Sequence, residues 1–419
     1  MRIRIHRGTR EIGGTCVEVE ASSGDRILLD LGMPLNAENE DDVTLPAVPG
    51  LLTPDPSLRA IVLSHGHRDH WGLLPKLQVP VPVVMGAATE RIMRAAAQFV
   101  PDGYAPKAEA HLISEDPLPI GPFVITPRLV DHSGFDAYSL VVEADNSRLL
   151  YSGDLRAHGR KDALFEGLLR RPPRHIDLML LEGSSIGRIA DDAKFPSESD
   201  IEHQLRLLFK ETAGLALVAC SAQNIDRVVS VYRAARRSGR ILLVDAYAAA
   251  VLKATEHPSI PKPADDWKDV QVFIPQRQRV MLVRSGIAAI VDEYKGRRVW
   301  PQNLAANPQR YVLLARGWML EELEQIGALS GAHAVWSQWD GYLEDGQGAA
   351  FKRRCAELGL PFETIHTSGH ASPPDLIRLA EAVNPKRLAA IHTFQRDRYP
   401  DLFKNVVHID DGQWIEVIQ

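Results

Sequence analysis

Short apolar runs that end on polar residues dominate the first 190 positions of the chain. Residues 16–20 alternate between apolar and charged side chains, and residues 26–30 form an apolar run that ends at the carboxylate of Asp30. Similar runs cover residues 59–63, 123–126, 149–151 and 177–181. Such runs predict buried β-strands. Polar residues that repeatedly follow buried strands lie along one edge of a sheet sandwich, where functional sites are commonly built on loops.

From about residue 197 the pattern changes to an alternation of helices and strands. Helical spacing of apolar residues covers 201–211 and 224–238, and strand-like runs cover 216–219, 241–244, 310–314 and 334–336. This alternation predicts an α/β unit with a parallel sheet. The proline-rich residues 257–263 predict a surface loop. Short strands beside polar residues return at 364–366, 388–392 and 406–408.

Composition narrows the class of protein without deciding its function. The chain has 419 residues, 24% of them charged and 45% hydrophobic, as in soluble globular proteins of two or three structural units. Because it has neither a membrane-spanning apolar run nor a secretory signal, we expect no membrane association. Cys16, Cys220 and Cys355 are odd in number and far apart, which argues against disulfides and predicts a reducing cytoplasm. A net charge of −6 argues weakly against non-specific nucleic-acid binding, but it leaves room for a local basic groove.

The segment with the clearest chemistry follows the strand at 59–63. His65, His67, Asp69 and His70 place four ligand-type side chains within six positions. Imidazole and carboxylate groups at this density suit zinc or a similar divalent ion. The alternative is a solvated histidine-rich loop, but four such groups beside a buried strand would be costly to desolvate without a metal.

Two residues further along the chain can complete a binuclear site. His132 and Asp154 each follow a predicted strand, as does Asp30. Taken singly, His132 reads as a loop histidine, Asp154 as a turn residue after glycine and Asp30 as a strand-ending aspartate. For His132 and Asp154, the order in the chain beside the histidine cluster favours metal binding.

These motifs together resemble the metallo-β-lactamase superfamily. The resemblance implies an α/β protein with an αββα sandwich that binds two Zn²⁺ ions, with Mn²⁺ as the alternative. It implies that His65, His67 and His132 hold one ion and that Asp69, His70 and a late histidine hold the other. Asp154 would bridge both ions with a hydroxide, and Asp30 would orient the ligand loop.

The end of the chain resembles one branch of that superfamily, the β-CASP nucleases that process nucleic acids. Glu182, the segment from His366 to His370 and the later His392 match the three extra motifs of the branch. The branch also inserts an α/β domain, as the helix–strand alternation predicts here. We therefore expect a metallo-β-lactamase domain at 1–192, a β-CASP insert at 193–360 and a return to the first domain at 361–419.

Within the branch the pattern is most similar to ribonuclease J-like nucleases, also at residues 11–14, 221–224 and 339–342. The resemblance makes His392 the last metal ligand and gives catalytic roles to Asp30, Asp69, Glu182 and His370. Glu182 would orient His370, which would protonate the leaving oxygen. A substrate phosphate would bind His366, Ser368, Gly369 and His370, beside a helix start predicted at 372–375. The alternative for His366 and His370 is a polar loop between a strand and a helix.

Two departures from the ribonuclease J pattern concern the end of the chain. His392 is followed by Thr393 and Phe394 instead of Gly-Glu, and the chain ends at Gln419 without the extra C-terminal domain of bacterial ribonuclease J. Both features weaken the expectation of 5′-end recognition and of the family's homodimer, which stays a candidate. Neither affects the predicted metal ligands.

Basic and aromatic residues of the insert are candidates for contacts with nucleic acid. The basic ones are Arg227, Arg233, Arg236, Arg237, Arg240, Arg277, Arg279, Arg284, Lys295, Arg297 and Arg298. They form either solvated helix faces or a groove that follows phosphates. Tyr247, Trp339 and Tyr342 either stack on bases or belong to the core.

The function that the sequence predicts is a zinc-dependent nuclease of the cytoplasm. It would hydrolyse RNA, with single-stranded DNA as a second substrate, by in-line attack of the metal-bridging hydroxide. The first alternative is a small-molecule hydrolase of the same fold, such as a thioesterase or lactonase, which would need neither the insert nor the phosphate loop. The second is a non-catalytic nucleic-acid-binding scaffold, which the complete set of candidate ligands disfavours.

Overall fold

A computed structural model describes residues 1–100 and 103–418, which divide into two compact units. The first unit comprises residues 1–94, 104–195 and 369–419, and the second comprises residues 95–103 and 196–368. The chain therefore leaves the first unit twice, first after Arg94 with return at Tyr104, and then after Phe195 with return at Gly369. Among the described residues no helix is long and apolar enough to cross a membrane.

Most strands of the first unit precede the second unit in the chain. They are β1 Arg2–Arg7, β2 Cys16–Glu20, β3 Arg26–Leu29, β4 Leu58–Val62, β5 Val83–Gly86, β6 Ala110–Leu112, β7 Leu118–Ile120, β8 Phe123–Leu129, β9 Tyr138–Ala144, β10 Ser147–Tyr151 and β11 Leu178–Glu182. The helices in this part are α1 Arg68–Trp71, α2 Ala87–Ala97 and α3 Asp162–Arg170.

The second unit alternates helices and strands, as its sequence predicts. Its helices are α4 Glu198–Glu211, α5 Ile225–Arg237, α6 Ala246–Ala254, α7 Gln276–Arg284, α8 Ala289–Glu293, α9 Pro301–Ala306, α10 Leu320–Gln325 and α11 Gly346–Glu357. Its strands are β12 Ala216–Ala219, β13 Ile241–Val244, β14 Val270–Val272, β15 Tyr311–Leu314, β16 His333–Trp336 and β17 Phe362–Thr364. The first unit then ends with α12 Pro373–Val383, β18 Arg387–Ile391, α13 Tyr399–Leu402 and β19 Trp414–Glu416.

The first unit is a sandwich of two sheets. One has the strand order β19-β1-β2-β3-β4-β5-β6 and the other the order β18-β11-β10-β9-β8-β7. The inner faces of both sheets form one core, in which Ile3 and Val17 of the first sheet are fully buried together with Leu140 and Leu178 of the second. Because side chains alternate across a strand, the other face of each sheet is left for helices to cover.

Helices cover both outer faces of the sandwich. Phe165 of α3 and Leu376 of α12 pack in a core with Met179 of β11, on the outer face of the second sheet. Met93 of α2 belongs to the core that contains Ile61 of β4, on the outer face of the first sheet. The αββα architecture expected from the sequence is thereby confirmed.

The second unit is built on one parallel sheet with the strand order β14-β13-β15-β12-β16-β17. Strands β12 and β15 are buried at every position, which explains why their sequences are apolar runs without alternation. Two helices begin at caps that the sequence supplies. Ser197 and Asp200 form a capping box at α4, and the carboxylate of Asp245 accepts a hydrogen bond from the N–H of Ala248 at α6.

The predicted elements agree with the structure except at two segments near the chain end. The strand expected at 364–366 stops at Thr364, so His366 lies in a loop. The strand expected at 406–408 is only an isolated bridge between Val406 and Leu388. In both segments the backbone pairing is too short for a strand: Ile365 donates one hydrogen bond to the Trp336 carbonyl, and Val407 donates one to the Leu388 carbonyl. The three cysteines are free and buried, in line with the expectation of no disulfide.

A buried network of ionic hydrogen bonds joins the first strands. The carboxylate of Glu18 lies 2.7 Å from the guanidinium of Arg4, 2.8 Å from Nε2 of His6 and 3.0 Å from Nη1 of Arg26. Burial alone would raise the pKa of Glu18. The hydrogen bonds with His6, Arg4 and Arg26 outweigh burial and lower that pKa to about 2.

Candidate metal centre

The histidine cluster lies on the loop that follows β4 and leads into α1. His67 precedes the first residue of α1, and its carbonyl accepts a hydrogen bond from the N–H of His70 at 3.0 Å. This single helical turn directs His65 and His67 to one side and brings Asp69 and His70 to a second group of side chains. The short helix thus divides one six-residue segment between two ligand sets.

The first group consists of His65, His67 and His132, whose ring nitrogens lie within 4.8 Å of one another. Nδ1 of His67 is 3.1 Å from Nε2 of His132. Burial, followed by the neighbouring histidines, holds the pKa of His65 and of His132 well below its ordinary value. Burial also lowers the pKa of His67. These rings are therefore neutral, which is the state in which an imidazole binds a metal ion.

The second group consists of Asp69, His70, Asp154 and His392, again with ligand atoms within 4.8 Å of one another. Oδ2 of Asp154 lies 3.2 Å from Nε2 of His70 and 3.7 Å from Nε2 of His392. The same oxygen is 3.8 Å from Nε2 of His65, which belongs to the first group. Asp154 is therefore the side chain that faces both groups.

A third group links Asp154 to the late histidine of the β-CASP-like motif. Nδ1 of His370 lies 3.1 Å from Oε2 of Glu182 and 3.8 Å from Oδ2 of Asp154. Burial lowers the pKa of His370, but the carboxylates of Glu182 and Asp154 outweigh it and raise the pKa to about 9. Glu182 is itself held by the N–H groups of Leu155 and Ser184. Glu182 thus fixes the ring of His370 beside the ligand groups.

The carboxylate of Asp30 holds the ligand loop in place through hydrogen bonds. Its Oδ1 accepts the N–H of Ser64 at 2.7 Å. Its Oδ2 lies 2.7 Å from the Ser64 hydroxyl, 2.7 Å from Nδ1 of His70 and 2.6 Å from the Tyr151 hydroxyl. With Nδ1 of His70 bonded to this carboxylate, its Nε2 is the atom directed at Asp154 and Asp69. Second-layer bonds of this kind fix the orientation of a metal-binding imidazole.

Backbone conformation at the centre is strained at two candidate residues. Asp30 has φ 59° and His392 has φ 52°, in the left-handed region that residues other than glycine rarely adopt. His392 is held there by hydrogen bonds from its N–H to the Gly8 carbonyl and between its Nδ1 and the Thr15 hydroxyl. Gly32 is needed for packing, since a Cβ there would lie 1.7 Å from the Asp69 carbonyl oxygen. Strain that persists at such positions is typical of functional sites.

The unsatisfied atoms of the centre match what a metal would require. Nε2 of His65, Nε2 of His392 and Oδ1 of Asp154 are buried and lack a hydrogen-bond partner among the described residues. Buried polar atoms without partners are costly, so their proximity to one another indicates a cation-binding site. Nitrogen and carboxylate donors without thiolates suit Zn²⁺ or Mn²⁺. The side chains therefore fit one or more divalent ions.

The four residues predicted to bind a substrate phosphate belong to two different units. Gly369 and His370 lie in the first unit, where the Gly369 carbonyl is 2.7 Å from Nδ1 of His132. His366 and Ser368 lie in the second unit. The predicted helix start is confirmed, since α12 begins directly after Ser372.

The sequence missed several residues that hold the predicted ones in place. Thr15 bonds to His392 and lies between the motif at 11–14 and the strand at 16–20, and Tyr151 bonds to Asp30 and ends the predicted strand at 149–151. In the second unit, Arg227 lies 3.2 Å from Nδ1 of His366 and is paired with Glu198 at 3.0 Å. In sequence, such residues are marked only as polar side chains at the end of a buried apolar run. Many core positions share this feature, so it does not identify them.

Two residues of the suggested basic groove are instead part of the core. Arg227 and Arg240 are buried, and Arg240 donates hydrogen bonds to the carbonyls of Gly214 and Tyr311. For these two residues the surface interpretation was wrong, because buried and exposed arginines look alike in sequence. Trp339 and Tyr342 are exposed, which excludes the interpretation of these two as core aromatics.

The fold and the site together define a class of protein. The model of the β-lactamase superfamily domain matches residues 26–188, which include β3 to β11 and every ligand candidate except His392. Residues 26–188 are therefore similar to a β-lactamase superfamily domain.

Over most of its length the chain is similar to ribonuclease J. It is 23% identical over 415 residues to ribonuclease J of Mycobacterium tuberculosis, covering 94% of the chain and 68% of that protein. It is 22% identical over 408 residues to ribonuclease J 2 of Streptococcus pyogenes, covering 93% and 69%. For ribonuclease J of Helicobacter pylori the identity is 22% over 444 residues, covering 98% of the chain and 60% of that protein. The resemblance expected from the motifs is confirmed.

A solved structure extends the likeness of fold to the whole chain. It is that of a protein of unknown function from Enterococcus faecalis, with a TM-score of 0.78, 20% identity and 99% of each chain covered. At this identity the match shows a shared fold alone.

Proposed function

We propose that the protein is a metal-dependent nuclease that hydrolyses phosphodiester bonds of RNA, with single-stranded DNA as a second candidate substrate. The observation that carries this proposal is the position of Asp154, whose Oδ2 lies within 3.8 Å of imidazoles from both ligand groups. The names of the relatives, all ribonuclease J, support RNA as the substrate. The three free, buried cysteines support a reducing cytoplasm as the compartment.

The ligand assignment follows the two groups of side chains. His65, His67 and His132 would hold one divalent ion, and Asp69, His70 and His392 would hold a second, with Asp154 shared between them. Zn²⁺ is the first candidate and Mn²⁺ the second. When bound, a pair of such ions would neutralise phosphate oxygens and lower the pKa of a water molecule. Asp30 would fix the ligand orientation through His70 and Ser64.

His370 is the proposed general acid. Its Nδ1 is engaged by Glu182, so Nε2 is the nitrogen that can donate a proton to a leaving oxygen. The pKa of about 9 keeps the ring protonated at neutral pH, as a proton donor requires. The assignment of His366 and Ser368 to the same phosphate stays a prediction of the sequence.

The test is a cleavage assay on RNA and single-stranded DNA labelled at either end, with Zn²⁺ or Mn²⁺ added. Wild type should cleave RNA, and the double variant Asp69→Ala/His70→Ala should lose at least about 100-fold of that rate, since both side chains belong to one ligand set. Asp116→Asn, an exposed aspartate outside the three ligand groups, is the matched control and should cleave like wild type. Cleavage that persists in the double variant contradicts the metal mechanism. Hydrolysis of a thioester or lactone without cleavage of any nucleic acid would replace the proposal with a small-molecule hydrolase.

A further inference from the structure

The second unit has a cavity at the carboxyl ends of its parallel strands. Its volume is about 380 Å³, within the range of about 300–1,000 Å³ that small-molecule sites occupy. Residues 219–222 after β12, residues 315–317 after β15, and Trp336 and Gln338 at the end of β16 line it. Strands β12 to β14 lead the chain to one edge of this sheet, and β15 to β17 lead it to the other. Ligand sites of open parallel sheets lie at the carboxyl ends of the strands, near such a reversal of strand order.

The planar guanidinium of Arg316, whose charge is balanced by Asp245, forms one wall of the cavity. Nε of Arg316 donates a hydrogen bond to Oδ2 of Asp245 at 2.8 Å, and the carboxylate is almost fully buried. The guanidinium also lies over the ring of Tyr247, 4.8 Å from its centroid. Because Asp245 balances its charge, Arg316 does not select strongly for an anion. A guanidinium plane held in this way is a stacking surface for an aromatic ring.

The remaining walls combine aromatic rings with groups that form hydrogen bonds. Trp336 is buried and Tyr342 is 49% exposed, so the cavity has an apolar wall and an accessible rim. The amide side chains of Gln338 and Gln347 line the same space. Amides both donate and accept hydrogen bonds, which matches the mixed donors and acceptors on the edge of a nucleobase. An aliphatic ligand would leave these amides without partners, at a cost in affinity.

A second cavity of about 390 Å³ adjoins the first and shares Tyr247, Arg316 and Gln347 with it. Its lining adds Arg277, an exposed cation whose guanidinium lies 5.7 Å from the ring centroid of Trp318. The two cavities therefore pair an aromatic chamber, whose lining also includes the carboxylate of Asp345, with the exposed cation of Arg277. A nucleotide has the same two parts, a neutral base and a phosphate.

We infer that the first cavity holds one nucleobase of a single-stranded RNA substrate, stacked between Arg316 and Tyr342, with the neighbouring phosphate directed to Arg277. This inference deepens the proposed function, on which it rests for the identity of the strand. Stacking contacts of this kind accept every base, so the cavity anchors the strand without selecting its sequence.

The test measures binding of the four ribonucleosides adenosine, cytidine, guanosine and uridine by titration calorimetry. Nucleosides carry no phosphate, so a metal centre that binds phosphate does not contribute to the signal. Wild type should bind at least one nucleoside with a dissociation constant of about 1 mM or less. Tyr342→Ala removes an exposed ring, and Arg316→Lys keeps the charge beside Asp245 but loses the flat surface. Each variant should weaken binding about 5- to 100-fold, as expected for one stacking contact.

Trp300→Ala is the matched control, since Trp300 is a 46% exposed aromatic residue of the same unit that lines neither cavity. It should bind nucleosides like wild type. The inference is overturned if no nucleoside binds wild type with a dissociation constant of about 1 mM or less. It is also overturned if Tyr342→Ala and Arg316→Lys bind as well as wild type does.

RNA cleavage by the same preparations separates the inference from the proposed function. If wild type cleaves RNA but binds no nucleoside, only the inference about the base-binding cavity is contradicted. Wild type that binds nucleosides but cleaves no nucleic acid contradicts the proposed function and leaves the base-binding cavity in place. If both hold, Tyr342→Ala should raise the KM for RNA by a similar factor to its loss of nucleoside affinity, whereas Trp300→Ala should not.

Discussion

Replacing Asp30 with asparagine tests how far the metal centre depends on the hydrogen bonds beneath it. Oδ2 of Asp30 accepts three hydrogen bonds, from the Ser64 hydroxyl, from Nδ1 of His70 and from the Tyr151 hydroxyl, while Oδ1 accepts the N–H of Ser64. An amide has one accepting oxygen, so its NH₂ group must face at least one of these donors in either orientation. The left-handed backbone at this position is no obstacle, because asparagine adopts it readily.

The expected loss can be worked out from these contacts. Altering a group that orients a metal-binding histidine typically costs 10- to 100-fold in metal affinity, or about 1.4–2.8 kcal/mol. Asp30→Asn should fall in this range, since it disturbs both His70 and the loop at Ser64. Tyr151→Phe removes a single donor and leaves none facing another donor, so its effect should be smaller, at about 0.5–1.5 kcal/mol.

The assay is competition between metal-free protein and a chromophoric chelator for Zn²⁺. Circular dichroism without metal shows whether each variant is folded, and Asp116→Asn serves as the control for loss of one negative charge. Metal affinities of Asp30→Asn and wild type that agree within about two-fold would refute the reasoning, because the bonds beneath His70 would then have no influence on its coordination. A larger effect for Tyr151→Phe than for Asp30→Asn would refute the ranking.

Two further predictions concern buried charges in each unit. Glu18→Gln should flatten the acid dependence of stability. The folded-state pKa of about 2 lies below the ordinary 4.5, so Glu18 stabilises wild type by about 3 kcal/mol above pH 4.5. This stabilisation is lost as the pH falls towards 2. Urea unfolding at a series of pH values measures the loss, and parallel curves of unfolding free energy against pH for wild type and variant would contradict the prediction. Arg227→Met should lower the free energy of unfolding by about 3–5 kcal/mol, because it leaves the buried Glu198 without its cation. Arg236→Met, which removes a cation whose partner is exposed, should lower it by less than about 1 kcal/mol. Equal losses of unfolding free energy in urea would show that burial does not govern the strength of these pairs.

The sequence predicts individual elements well where burial leaves a simple pattern. The bounds of β2, β12 and β13 agree with their apolar or alternating runs, because a buried strand needs little beyond such a run. The order of strands within each sheet does not follow from these patterns. Pairing of β1 with β19, or the position of β15 between β13 and β12, depends on contacts between residues far apart in the chain.

The residues of the site divide in the same way into those that the sequence predicts and those that it does not. The histidine cluster, His132 and Asp154 carry recognisable chemistry at recognisable positions, so the sequence names them and the structure brings their side chains together. Thr15 and Tyr151 are missed, because a hydroxyl that bonds to a histidine or to a carboxylate has no distinctive spacing in sequence. The cavity beside Arg316 is also invisible in sequence, since its walls come from the ends of several strands and helices.

The distance in sequence between His392 and the cluster at 65–70 has a consequence during synthesis of the protein. The cluster is translated early, but the second ligand group needs His392, and the backbone of His392 is anchored to Gly8 near the start of the chain. A nascent or prematurely terminated chain therefore has an incomplete metal centre, whatever part of the sandwich it has already folded. Only a chain translated past residue 392 can assemble the second ligand group, and a truncated product that still carries the histidine cluster would lack it.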